Sequence, residues 1–151
     1  MIEIRSASGD DWVAYRQVRL RALTDAPDAF ASTLEREAAF DDDVWIARLT
    51  SAHTLIAWAG DDPVGTVTGL PDGEMVAMWV APDQRGKGVG AQLVAALVDW
   101  SRAAGLTELR TWVADGNDTA QRLYERMGFV PTGEVALMRD GIGERRLLRA
   151  L

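Results

Sequence analysis

The segment with the clearest chemical potential is Arg85-Gly86-Lys87-Gly88-Val89-Gly90, in which three alternate glycines and two cations precede a helical pattern. Glycine lets backbone N–H groups point into one concavity without obstruction by a Cβ atom. The start of the following helix adds unsatisfied N–H groups and a partial positive charge. Such a loop is suited to a pyrophosphate group. Because Lys87 is the only lysine in a chain of net charge −7, the local basic pair indicates a specific anionic ligand.

Two other nucleotide-binding loops can be compared with this segment. A P-loop requires G-x-x-x-x-G-K-[ST], which the chain lacks. The dinucleotide-binding pattern G-x-G-x-x-[GA] is met formally by Gly86, Gly88 and Ala91, and Glu108 follows at roughly the expected 20 residues. That pattern should follow its strand almost directly, whereas Pro82 and several polar residues intervene here. A dinucleotide-binding oxidoreductase therefore stays open as the weaker alternative.

The composition excludes several other chemistries. The chain of 151 residues has no cysteine and one histidine, His53, which excludes thiolate zinc sites and motifs that need two histidines. We therefore expect no metal. A net charge of −7 argues against nucleic-acid binding, and no apolar run reaches the roughly 20 residues of a membrane helix. The first residues alternate like a strand and lack the order of a signal peptide, which predicts a cytoplasmic protein.

The elements that position these residues follow from hydrophobic periodicity and turn residues. Helical patterns cover 10–23, 41–49, 88–104 and 118–127, with Asp118 as the expected N-cap of the last helix and 30–40 as part loop, part helix. Strand patterns cover 2–5, 53–59, 64–70, 74–80 and 108–114, with further strand material at 129–130, 134–139 and 145–151. This order predicts one α/β domain, residues 1–151, with helices packed on a mixed sheet.

Three segments resemble the GNAT acetyltransferases. The loop from Arg85 to Gly90 matches the signature R/Q-x-x-G-x-G/A, and Met78-Trp79-Val80-Ala81-Pro82 is similar to the fourth strand of that superfamily and its exit. The segment from Asn117 to Phe129, N-D-T-A-Q-R-L-Y-E-R-M-G-F, resembles its next motif. The resemblance implies an α+β GNAT-like fold: a central mixed, mostly antiparallel sheet with splayed strands 4 and 5 and helices on both faces.

The resemblance also implies how acetyl-CoA would bind between the splayed strands. Backbone groups of Met78 to Val80 would pair with the pantetheine arm, and the N–H groups of Arg85 to Gly90 would hold the pyrophosphate. Asn117 would bond the pantetheine region, although its position fits a simple turn residue equally well. Tyr124 would lie near the thioester sulfur, and its alternative is an amphipathic core residue.

The implied reaction is direct transfer of an acetyl group to a primary amine of a small molecule, peptide or protein in a ternary complex. A backbone N–H near Trp79 or Val80 would stabilise the oxyanion. Tyr124, with a reference pKa of about 10, stays protonated at neutral pH and can act as general acid for the leaving thiolate. A noncatalytic acyl-CoA-binding sensor on the same fold is the alternative from another class. Both a monomer and a homodimer are compatible with the sequence.

The sequence defines the acceptor side less well. Glu35, Glu37 and Glu74 are candidates for the base that deprotonates the amine, and each can also be read as a solvated surface carboxylate. Three aromatic residues are candidates for lining the acceptor pocket, with a place in the core as the alternative for each. They are Phe30, in a segment similar to the acceptor wall of some relatives, and Trp79 and Trp112, on the two strands expected to splay.

Overall fold

The computed structural model describes all residues from Met1 to Leu151 and contains seven strands and five α-helices. The strands are β1 (Ile2–Ser6), β2 (His53–Ala59), β3 (Asp62–Gly69), β4 (Met75–Val80), β5 (Glu108–Ala114), β6 (Val130–Arg139) and β7 (Ile142–Ala150). The helices are α1 (Trp12–Asp25), α2 (Leu34–Ala38), α3 (Asp42–Ser51), α4 (Val89–Ala103) and α5 (Asp118–Arg126). The ambiguous segment 30–40 thus contains one short helix, α2.

The strands form two antiparallel sheets that meet at β4 and β5. The first sheet has the order β1-β2-β3-β4 and the second the order β5-β7-β6. A single parallel bridge between Glu74 and Arg110 joins them. The predicted α+β arrangement with splayed strands 4 and 5 is therefore confirmed.

Helices cover both faces of the first sheet, as predicted. The buried side of α4 includes Leu93 and Leu97 and packs on β3 so closely that small residues are needed there. A Cβ atom at Gly65 would lie 3.3 Å from Leu93 Cδ1, and one at Gly69 would lie 2.8 Å from Leu97 Cδ1. Helix α1 packs against β3 from the opposite face, with Val18 among its buried residues.

The ends of the helices follow from local hydrogen bonding. Helix α1 starts at Trp12 because a 3-10 turn, Gly9–Asp11, occupies the first predicted residues, and Asp11 accepts a 2.8 Å bond from the backbone of Ser8. The Oδ1 of Asp41 caps α3 through the N–H of Val44 at 3.3 Å.

No helix is both long enough and apolar enough to cross a membrane.

The last two strands form a long hairpin. The sequence pattern predicts separate strand segments around Pro131 and Gly133, whereas β6 runs without interruption from Val130 to Arg139. Strand β6 is the edge of its sheet, where a residue without an N–H group can be accommodated. Its pairing with β7 is irregular between Pro131 and Val135, and this irregularity accommodates the missing N–H group of Pro131.

Candidate functional site

The site begins where β4 and β5 separate. Next to the bridge at Glu74, the N–H of Arg110 donates to Gly73 O at 2.9 Å, and Thr111 Oγ1 donates to Met75 O at 2.9 Å. No further pairing joins the two strands toward their carboxyl ends. The peptide groups on the inner edge of β4 are therefore open to an extended ligand placed in the gap.

A β-bulge at Ala77 shapes this part of β4. The register with β3 runs from Val76 opposite Thr68 to Trp79 opposite Thr66, so that the β4 side has one extra residue. Ala77 has a φ of 59°, in the left-handed region that costs an alanine about 1–2 kcal/mol. Strained positions of this kind are often found at ligand sites, and nothing in the sequence pattern marks this one.

The glycine-rich loop presents a row of free donors. Gly86 and Gly88 have φ values of 76° and 82°, which only glycine adopts without strain. None of the backbone N–H groups from Gly86 to Ala91 donates to a protein acceptor. Consecutive free N–H groups at the start of a helix form an anion site, so the loop has the donors that a pyrophosphate requires.

Gly90 fixes the contact between this loop and the rest of the site. A Cβ atom there would lie 2.9 Å from Leu123 Cδ2 and 3.2 Å from Met78 Cε. The N-terminus of α4 therefore touches both β4 and α5 directly. Of the predicted cofactor residues, the structure brings Gly90, Met78 and Val80 together, and Leu123 of α5 joins them.

The two cations of the loop have different environments. The Arg85 side chain turns away from the free N–H groups, with its Nε bonded to Val80 O at 3.0 Å and its Nη2 paired with Asp25. The pKa of the Asp25 carboxyl is held below its usual range by the bond from the Trp79 indole and by Arg85. Lys87 is exposed and has no ion-pair partner, so it is the loop's one uncommitted cation.

Asn117 caps helix α5, which corrects the expected cap at Asp118. Its Oδ1 accepts a hydrogen bond from the N–H of Ala120 at 3.3 Å, and Asp118 is the first helical residue. The side-chain oxygen of Asn117 therefore has a structural role as the cap of α5, which agrees with the interpretation of Asn117 as a turn residue. Its amide nitrogen bonds to no protein atom, and remains available to a ligand.

Tyr124 lies on α5 and is almost wholly buried. Its ring centroid is 5.6 Å from that of Phe129, and its hydroxyl group has no hydrogen-bond partner in the protein. Burial raises the pKa of the Tyr124 hydroxyl well above its usual range. The hydroxyl group therefore keeps its proton at neutral pH and is free to donate it.

The loop and the aromatic side chain of Trp79 lie on opposite faces of β4. On β3, Gly65 and Gly69 face α4, so Thr66 and Thr68 face α1. Trp79, the register partner of Thr66, faces α1 as well, and its Nε1 donates to Asp25 Oδ2 at 3.0 Å. The gap between β4 and β5 is thus open to an anion-binding loop on one face and to a separate surface on the other.

The α1 face continues across the gap onto β5 and β7. Glu74, two residues before Val76, accepts a bond from Arg146 Nη1 at 3.0 Å and a second from Nη2. The Arg146 guanidinium lies 4.7 Å from the ring centroid of Trp112. Trp112 therefore lies on the same face as Glu74 and Arg146.

Two of the three candidate bases are held in ion pairs. Glu37 is fully buried, contrary to its alternative reading as a surface carboxylate, and accepts bonds from Arg19 at 3.0 Å and Arg48 at 2.8 Å. Burial opposes its ionisation, but Arg19 and Arg48 outweigh burial and lower its pKa to about 2. Glu74 is paired with Arg146. Glu35 is exposed and has no ion pair, as its surface reading predicts.

Phe30 is buried beside the Glu37 network. Arg19 lies 4.8 Å from its ring centroid, so its side chain is part of the core. Its carbonyl accepts a 2.9 Å bond from Arg139 Nε on β6, and Arg139 also donates to Pro27 O. Arg139 thereby ties the 27–30 turn to the second sheet, a role that the sequence pattern does not reveal.

A surface groove of about 910 Å³ lies along the outer side of α1. It reaches the site only at Asp25, Trp79 and Pro82, and the rest of its lining comes from residues such as Trp12 and Arg16. The groove is therefore a neighbour of the gap and not the gap itself.

The sequence is similar to acetyltransferases along most of its length. The profile of the Acetyltransferase (GNAT) family matches residues 18–129. A mycothiol acetyltransferase from Thermobispora bispora is 30% identical over 128 residues, which are 80% of this chain and 43% of that protein. An aminoglycoside N(6')-acetyltransferase type 1 from Stenotrophomonas maltophilia is 29% identical over 140 residues, 90% of this chain and 91% of that protein. The chain thus spans 43% of the first relative's length and nearly all of the second's.

Solved structures share the fold. An acetyltransferase of the GNAT family from Streptococcus pneumoniae superposes with a TM-score of 0.81 at 19% identity, over 100% of this chain and 99% of that chain. The yncA protein from Salmonella typhimurium, described as a candidate acetyltransferase and solved with its cofactor acetyl-CoA, gives a TM-score of 0.82 at 18% identity. That match covers 100% of this chain and 94% of the other.

Proposed function

Because the chain belongs to the acetyltransferase (GNAT) family, we propose that it is an acetyl-CoA-dependent N-acetyltransferase acting on a primary amine in a ternary complex. The observation that most supports this function is the gap between β4 and β5, which has a free anion-binding loop on one face and a separate polar surface on the other. Direct transfer between two substrates requires such an arrangement, because the donor and the acceptor must meet without displacing each other. We assign the activity to residues 1–151 as one domain.

The donor is held by backbone groups. The free N–H groups from Gly86 to Ala91 and the charge of Lys87 bind the pyrophosphate of acetyl-CoA. The inner edge of β4 from Met78 to Val80 pairs with the pantetheine arm, and the free amide nitrogen of Asn117 adds a donor beside it. The Arg85 N–H, expected among the loop donors, instead donates to Pro82 O at 3.3 Å, and Asp25 neutralises the Arg85 side chain.

Tyr124 supplies the proton for the leaving group. The neutral amine attacks the thioester carbonyl, the C–S bond breaks, and the sulfur takes the proton of the Tyr124 hydroxyl group. After the attack the nitrogen carries a positive charge and loses one proton, and this proton restores the Tyr124 hydroxyl group. Two observations support this role: the hydroxyl group is protonated at neutral pH, and it has no competing hydrogen-bond partner in the protein.

The acceptor is an amine presented on the α1 face beside Trp112. The relatives named above are a mycothiol acetyltransferase and an aminoglycoside N(6')-acetyltransferase, so small amines from several classes are reasonable first probes. We propose a panel of kanamycin, spermidine, L-methionine and a short peptide with an N-terminal alanine.

The proposal is tested by release of free CoA thiol from acetyl-CoA in the presence of each amine. We expect at least one amine to stimulate thiol release, with the acetylated amine identified by mass spectrometry. Tight acetyl-CoA binding without stimulation by any amine would instead identify a sensor that binds the cofactor without catalysis. Absence of acetyl-CoA binding would contradict the proposal as a whole.

A further inference from the structure

Glu144 on β7 lies on the α1 face, where we place the acceptor, at the end of the gap where β4 and β5 are separated. The register places Glu144 opposite Ala114, the last residue of β5, and Arg146 opposite Trp112. Because side chains alternate along a strand, Glu144 lies on the same face as Arg146 and Trp112. Strands β4 and β5 run parallel from the bridge at Glu74 and separate toward Ala114, so this position is at the open end.

Glu144 differs from the other buried or half-buried carboxylates of the site, because it has no partner. Asp25, Glu37 and Glu74 are each paired with at least one arginine. Glu144 is half-buried and forms neither an ion pair nor a hydrogen bond with the protein. Arg146, its near neighbour, is already bonded to both carboxylate oxygens of Glu74.

Burial and the neighbouring charges both influence the pKa of Glu144. Burial raises the pKa of the Glu144 carboxyl, Arg146 opposes this rise, and Glu74 adds to it. Its register partners on β5 and β6, Ala114 and Ala136, carry no charge. A carboxylate whose pKa lies above its usual range is a better base at neutral pH than one held ionised by arginine, such as Glu37.

We propose that Glu144 binds the ammonium group of the acceptor and takes its proton. This inference rests on the proposed function. The N–H bond of the ammonium breaks, the proton passes to a Glu144 oxygen, and the nitrogen regains the lone pair that attacks the thioester carbonyl. The candidate bases Glu37 and Glu74 are engaged in ion pairs, and neither is free to take this proton.

The inference predicts the behaviour of Glu144→Gln, with Glu3→Gln as the matched control. Glu3 is exposed on β1 and remote from the gap. We expect Glu144→Gln to lower kcat/KM for the best amine of the panel about 100-fold at pH 7 and to leave acetyl-CoA affinity within twofold. The control should leave both unchanged. Since Glu144 has no partner to lose, its substitution should not lower Tm.

The pH dependence separates this role from a structural one. Without the base, the variant depends on amine that is already neutral, so its deficit should shrink as the pH approaches the pKa of the amine, about 10 for an alkylamine. A deficit that is constant with pH, or a kcat/KM within threefold of the wild type at pH 7, would overturn the inference while leaving the proposed function intact. Failure of the wild-type protein to bind acetyl-CoA would overturn both.

Discussion

The Nη2 atom of Arg85 lies 2.5 Å from Oδ2 of Asp25, at the end of α1, although Arg85 belongs to the glycine-rich loop. The same carboxylate oxygen accepts the Trp79 indole N–H at 3.0 Å. This arrangement links α1, β4 and the loop, and the ion pair with Asp25 neutralises the Arg85 charge within the protein. Lys87 is therefore the cation that remains for a bound phosphate group, and the two basic residues of the loop should respond differently to substitution.

Lys87→Gln should weaken acetyl-CoA binding by about fivefold, equivalent to about 1 kcal/mol, because it removes one exposed charge from a site otherwise built of neutral N–H groups. Isothermal titration at low and high salt measures the change, which should be smaller at high salt. Arg102→Gln, at the other end of α4, is the control and should have no effect. An unchanged affinity for Lys87→Gln would remove this residue from the phosphate site.

Tyr124→Phe should lower kcat about 100-fold and change acetyl-CoA affinity less than twofold, because it removes only the proton donor. Tyr15 is the other tyrosine of the chain and is buried in the core, so Tyr15→Phe is the matched control with kcat near the wild type. Steady-state thiol release and calorimetry give the two quantities. Equal losses of kcat and affinity would assign Tyr124 to cofactor binding alone.

Tyrosine ionisation should leave no mark on the wild-type rate below about pH 10, the reference value for the phenol. Burial raises the pKa of Tyr124, so the hydroxyl group stays protonated beyond that point. The measurement is kcat as a function of pH. A fall in kcat at lower pH that disappears in Tyr124→Phe would contradict the assigned environment.

Gly90→Ala should destabilise the protein by about 1–3 kcal/mol and weaken acetyl-CoA binding, since the new methyl group would overlap Leu123 and press on Met78. Both contacts lie beside the proposed donor site. Gly9→Ala introduces a methyl group at ordinary contact distance, 3.5 Å from Ile46 Cγ2, and is the control. Thermal melting and calorimetry check the prediction, and a Gly90→Ala protein that equals the control in both would refute the close contact.

Glu37→Gln should cost about 3–5 kcal/mol, because it leaves Arg19 and Arg48 without their shared buried carboxylate. The folded-state pKa of Glu37, about 2, lies below its ordinary value of 4.5. Its stabilisation is therefore complete above about pH 5 and is lost as the pH falls toward 2. Denaturant unfolding at several pH values should show a flatter acid dependence for Glu37→Gln than for the wild type. The exposed Glu35→Gln should retain the wild-type profile, and the same profile for both variants would contradict this account.

Local sequence patterns were sufficient for the parts of the molecule that depend on neighbouring residues. The glycines at 86, 88 and 90 predict the loop because each needs either a positive φ or a close approach. The alternation of β5 and the periodicity of α4 predict those elements because one face of each is buried. The separation of β4 and β5 required the family resemblance, since no pattern within either strand marks it.

The remaining features depend on contacts between distant elements. The burial of Glu37 requires Arg19 from α1 and Arg48 from α3, and an isolated acidic residue gives no sign of such partners. The bulge at Ala77 is defined by its register with β3. Glu144 becomes notable only once β7 is paired with β5, and the cap at Asn117 differs from Asp118 by one residue, the usual uncertainty of a helix end.

Isothermal titration of the protein with acetyl-CoA, with NADH as the parallel ligand, determines whether the loop from Gly86 to Gly90 binds acetyl-CoA as proposed. We predict micromolar binding of acetyl-CoA with one site per chain and no measurable binding of NADH. Binding of NADH in preference to acetyl-CoA would contradict this prediction and would favour the dinucleotide interpretation of the same glycines.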